Sequence, residues 1–80
     1  MNYVKNKSTL VAGDVLLDTK DTCSFKDAFI ITDIDLNDGI VYMKHQIEDQ
    51  KTYVTSYKYL HIKHKFYDSE SETICKISNM

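Results

Sequence analysis

The chain has no proline, no tryptophan and no arginine, and all ten of its basic residues are lysine. Glycine, cysteine and alanine occur only twice each. Each shortage removes a class of chemistry. Two glycines cannot build a Gly-rich phosphate cradle. Without arginine there is no bidentate fork to read guanine. Cys23 and Cys75 have no CxxC spacing for zinc, and two cysteines are few for a secreted disulfide scaffold. The first residues, Met1 to Lys7, lack the apolar centre of a signal peptide, and no apolar run approaches the ~20 residues of a membrane helix. The expectation is a cytoplasmic protein with free thiols and no membrane contact.

The chain holds 80 residues, enough for one domain (1–80) and one modest core, and too few for a barrel enzyme or a dinucleotide fold. Val, Ile, Tyr, Phe and Thr fill 29 of the 80 positions, which favours strands over a helical bundle. Asp14–Asp18 reads as a strand with Val15 and Leu17 on one face and Leu16 on the other. Residues 19–27 read as a long polar loop, with room for a short helix near Ser24–Phe29. Phe29–Leu36 is the clearest strand; its apolar start on both faces predicts double cover or a bend. Asp38-Gly39 then predicts a tight hairpin, because those residues tolerate positive φ. Ile40–Gln46 is the return strand, Glu48–Gln50 a turn, and Thr52–Ser56 a further strand. Ser56–Leu60 reads as a single 3₁₀ turn and His61–Tyr67 as an alternating strand with Ile62 and Phe66 on one face. The acidic segment 68–80 ends in Thr73–Ile77, an edge strand or tail.

Three constellations invite chemistry. Asp33–Gly39 resembles a calcium loop in composition. Counted from Asp33, however, Gly39 is seventh and Lys44 twelfth, where that loop needs glycine sixth and glutamate twelfth. A hairpin turn with solvated carboxylates fits the spacing better. His61 and His64 lie three apart, which on a strand puts them on opposite faces and denies them a shared metal. No nucleophile elbow, phosphate loop or paired-carboxylate motif occurs, so the residues point away from an enzyme, a cofactor or a metal.

Charge is the informative feature. Residues 1–43 carry four Lys against seven Asp, residues 44–65 five Lys against Glu48 and Asp49, and residues 66–80 one Lys against three acids. A basic middle therefore sits between acidic ends. Alternation would place Tyr42, Lys44, Tyr53, Tyr57, His61, Lys63, Lys65 and Tyr67, with Lys58 close by, on a face opposite Val41, Met43, Val54, Ile62 and Phe66. Such a face stacks bases and neutralises phosphates, or meets a protein partner. An acidic surface of Asp14, Asp18, Asp33, Asp35 and Asp38 offers a second mode, mimicry of nucleic acid toward a basic site.

Gly13-Asp14-Val15, the long loop after it, the meander Ile31–Thr55 and the short turn into Leu60–Phe66 together resemble SH3-like barrels, including KOW-type modules. The resemblance covers about residues 10–67 and rests on pattern. It implies a mainly β fold, a partly open antiparallel barrel of five to six strands. The Pro and Trp that line the peptide groove of signalling SH3 domains are absent, which removes PxxP recognition. Small size and AT-rich, lysine-only composition resemble an accessory protein of a bacteriophage. That resemblance implies a non-catalytic inhibitor binding a host protein in the host cytoplasm. The alternative is a weak nucleic-acid module using Lys44, Lys58, Lys63 and Lys65. An open edge strand would also allow a homodimer.

Overall fold

The computed structural model describes residues 4–18, 28–46 and 51–79. Its strands are β1 (Val4–Asn6), β2 (Val15–Asp18), β3 (Ala28–Asp35), β4 (Ile40–His45), β5 (Thr52–Ser56), β6 (His64–Asp68) and β7 (Thr73–Ser78). A 3₁₀ turn over Lys7–Thr9 follows β1. A second, over Tyr57–Tyr59, runs into a helical turn, α1 (Leu60–Lys63). The expected loop at 19–27, its short helix up to Asp27, the Glu48–Gln50 turn and Cys23 lie outside the described residues, whereas Ala28 and Phe29 belong to β3.

The protein is mainly β, but it differs from a five- to six-stranded antiparallel barrel in three respects. The described residues form one unclosed sheet of seven strands, in the order β1-β7-β6-β2-β3-β4-β5. One pair is parallel: β1 lies along β7, Val4 against Lys76. Thr73–Ser78 is not an edge, because β1 covers it. The three residues of β1 have no alternating pattern of their own. They become a strand only by pairing with a segment some 72 positions away.

The sheet nevertheless curls. Six ladder steps of about 4.8 Å would hold flat edges about 29 Å apart. Yet the Lys7 ammonium, just past β1, lies 4.5 Å from the centre of the Tyr57 ring, just past β5. Lys7 is buried, and its Nζ donates a 2.7 Å hydrogen bond to Asn79 Oδ1. Inside the curl, Leu16, Ile31, Val41, Met43, Phe66, Cys75 and Ile77 form one core, with Leu10 and Leu60 plugging it from the turns.

The bend expected in the Phe29–Leu36 strand is a β-bulge. Ile31 faces Met43 and Asp33 faces Tyr42, so Thr32 has no opposite number. The extra residue shifts the inward parity from odd to even, and both Ile31 and Ile34 reach the core side. Gly39, at φ +67°, ends the four-residue turn back to β4, as the Asp-Gly signal predicts.

One strand was expected too early. Residues 61–63 are helical and β6 begins at His64, so Ile62 is 62% exposed while Leu60 is fully buried. The Tyr57–Tyr59 turn carries on by one more turn, and this rotates Leu60 inward. Leu60→Ala should therefore cost about 2–5 kcal/mol, and Ile62→Ala about 0.5 kcal/mol or less. Urea unfolding of the two variants checks this, and the opposite ranking would restore the strand.

Candidate functional site

Ladder register assigns each strand residue to the core side or to the outer face. Across the sheet the outer face runs Ile74, Tyr67, Val15, Ile30, Lys44, Thr52, each paired with the next. Beside it runs a shorter row, Asp33, Tyr42, Val54. Tyr42 and Lys44 thus lie outward as expected, with Lys65 outward on β6 beside Leu17.

Three assignments change. Tyr53 pairs with Met43 and Thr55 with Val41, so those two face the core side and Val54 faces out, 62% exposed. Hydropathy alone assigns Val54 to the core. The register that joins β4 to β5 overrides it, because a one-residue shift exchanges the faces. Tyr57 packs against the core and under Lys7. His61 and Lys63 belong to α1, not to a sheet face. The structure therefore brings together Tyr42, Lys44 and Val54. It leaves Lys58, His61 and Lys63 on the turn, and Lys65 three strands from Lys44 and two residues off its row.

The acidic residues divide as well. Asp35 Oδ1 accepts from the Asn37 and Asp38 amides at 3.0 and 3.2 Å, Asp33 Oδ1 from the Ile34 amide at 2.9 Å, and Asp14 Oδ2 from the Val11 amide at 3.0 Å. The Asp14 and Asp35 carboxylates close turns, whereas Asp33 caps the next amide within β3, beside the bulge. Asp18 stands at the far end of β2 from Asp14, opposite His64.

Two features were missed. The first is a ring cluster on the core side. Phe29 meets His45 and Tyr53 edge-on, both at 5.3 Å, and His64 at 5.9 Å. All four residues come from core-side positions, on β3, β4, β5 and β6, so correct parity would have found them. His64 is buried, and its Nδ1 has no hydrogen-bond partner. Burial pushes its imidazole below the ordinary value, outweighing the opposite pull of Asp18 and the Leu17 backbone; Lys63 pushes it down further. The second is a surface cleft of about 300 Å³ lined by Lys5, Asp14, Phe66, Asp68 and Glu70 among others. Asp68 is occupied there by the Glu70 amide and the Ser71 hydroxyl, and Lys5 lies over the Phe66 ring at 4.8 Å. Burial raises the nearby Cys75 thiol, which is free. Among the described residues, no group of three His, Cys, Asp or Glu side chains is placed to hold a metal ion, and no helix is long and apolar enough to cross a membrane.

Comparison with protein-family models, with curated proteins and with solved structures finds no match to this chain. The functional reading therefore rests on the surface itself.

The buried histidine has a measurable consequence. Its folded value lies below the ordinary 6.5, so the unfolded chain binds the proton more readily. Its contribution to stability is intact above that pH and is lost as pH falls through the folded value. Urea midpoints should drop between about pH 7.5 and about pH 5.5, and His64→Phe should flatten the drop. An equal drop in the variant would remove His64 as the cause.

Proposed function

We propose that this chain is a non-catalytic protein-binding domain, an accessory or inhibitor protein of the bacteriophage type that docks on a host protein in the host cytoplasm. The observation that carries the reading is the solvent-open outer face at the β4–β5 side, where Tyr42, Lys44 and Val54 lie together. An exposed valine and a half-buried tyrosine beside an exposed lysine form the mixed apolar and polar surface typical of protein interfaces. This favours the Tyr/Lys face over acidic mimicry, since Asp14 and Asp35 each spend a carboxylate oxygen on a turn and Asp33 spends one on the neighbouring Ile34 amide.

The finer fold reading is part of the same proposal. The meander β2–β3–β4–β5, followed by a short helical turn into β6, supports an SH3-like relationship, extended here by β1 and β7. The nucleic-acid alternative draws less support. Its four lysines are spread between the outer face and the turn, and few phosphates are neutralised by so dispersed a set.

Affinity capture from a bacterial host lysate tests the proposal. A stoichiometric protein partner is expected, and recovery of nucleic acid alone would overturn it. Tyr42→Ala combined with Lys44→Glu should weaken capture tenfold or more, on the order of 1.4 kcal/mol or above. Asp38→Asn, at the exposed tip of the β3–β4 turn, should leave capture unchanged. The reverse pattern would move the contact to the acidic hairpin.

A further inference from the structure

The two outer strands of the sheet are unlike. β1 is three residues long and runs straight into a 3₁₀ turn, so it offers little edge. β5 is five residues long, and its described residues have one strand neighbour, β4. Natural edges are usually guarded by a charge, a proline or a bulge. Thr52-Tyr53-Val54-Thr55-Ser56 has none of these, and its ladder with β4 has no register shift.

The register also shows which backbone groups lie on the open side. In an antiparallel ladder, hydrogen-bonded and non-hydrogen-bonded pairs alternate. The Tyr57 amide donates to the Gly39 carbonyl at 2.8 Å, so Gly39–Tyr57 is a bonded pair. Val41–Thr55 and Met43–Tyr53 are then bonded too, while Ile40–Ser56, Tyr42–Val54 and Lys44–Thr52 are not. The N–H and C=O groups of Thr52, Val54 and Ser56 therefore point away from β4. Among the described residues no strand pairs with that side of β5, and Val54 is 62% exposed.

Charge selects the occupant. From Lys51 to Tyr67 the chain carries four lysines and no Asp or Glu. Lys51 precedes β5, Lys58 follows it, and Lys44 stands beside Thr52 on the outer face. The acidic hairpin residues Asp33 and Asp35 lie on β3, on the far side of β4. Pairing two copies edge to edge would gather lysines of both copies in one seam, and among the described residues neither β5 nor the turn that follows it carries a carboxylate to offset them. An acidic strand meets the opposite condition, with backbone groups to pair and lysines to neutralise it.

We propose that the free edge of β5 takes up an extended, acidic segment of a partner protein as an added strand. The inference rests on the protein-binding reading above and names the chemistry of its partner.

The test uses the whole chain, labelled with ¹⁵N, and a capped heptapeptide of alternating Glu and Val as probe. In the free protein the amides of Thr52, Val54 and Ser56 should exchange quickly and those of Tyr53 and Thr55 slowly. At millimolar peptide the first three should gain protection of tenfold or more. The same peptide with Lys in place of Glu should give none. Val54→Pro removes an outward N–H without touching a bond to β4, so it should keep the fold and abolish the protection. Lys51→Glu with Lys58→Glu should reverse the peptide preference, and it decides the matter if the proline variant fails to fold. Unchanged exchange at the three amides would overturn the inference. So would sedimentation as a dimer that Val54→Pro converts to monomer, because the occupant is then a second copy. A host protein captured equally by wild type and Val54→Pro would reject the edge and keep the protein-binding reading. Peptide protection with no protein captured would keep the edge and reject the host-protein reading.

Discussion

The fold depends on one sheet bending far enough to enclose its own apolar face. Among the described residues, the seven-stranded sheet has no second layer to lie against. Its inner face would stay wet unless the edges came round. They come round at Lys7, which reaches the Tyr57 ring from one end of the sheet and Asn79 from beside it. A buried ammonium is costly unless it is well partnered. The aromatic face and the amide oxygen supply those partners, and the lysine stem adds apolar cover where the two ends meet. Leu10 and Leu60 fill what the curl leaves open.

The same bending decides which side chains are available to a partner. The bulge at Thr32 lets one strand direct Ile31 and Ile34 inward although three positions separate them, and it increases the local twist. On β5 the register turns Tyr53 and Thr55 inward, leaving the Thr55 hydroxyl without a partner, and turns Val54 out. Both are departures from simple hydropathy, and together they shape the outer face. That face has an apolar row broken by Lys44 at the side where the sheet ends.

Much of the β organisation was legible along the chain. Alternation placed β2, β3, β4 and β5 within a residue or so of their bounds, and Asp38-Gly39 marked the hairpin between β3 and β4. The signals are local: period-two burial, and a turn that needs positive φ. What was not legible is equally specific. β1 draws its stability from a distant strand, so its own three residues carry no pattern. His61–Tyr67 alternates like a strand, but the turn begun at Tyr57 continues through Lys63 because that buries Leu60. Of the eight residues expected on one binding face, Tyr42 and Lys44 remain together there. Tyr53 and Tyr57 lie inward instead, because aromatic side chains serve a core as well as a surface.

By itself, the amino-acid sequence determined that this is a β-rich chain with one small core, lysine-only basicity and charge separated into blocks. Composition and short-range periodicity carry those properties, and neither needs knowledge of what lies opposite in space. The tertiary structure alone decided the strand order, the parallel β1–β7 pair, the face on which Val54 and Tyr53 lie, and the meeting of the His64 ring with Phe29. Each depends on register between segments distant in the chain. A shift of one residue exchanges inside for outside without altering a single local preference.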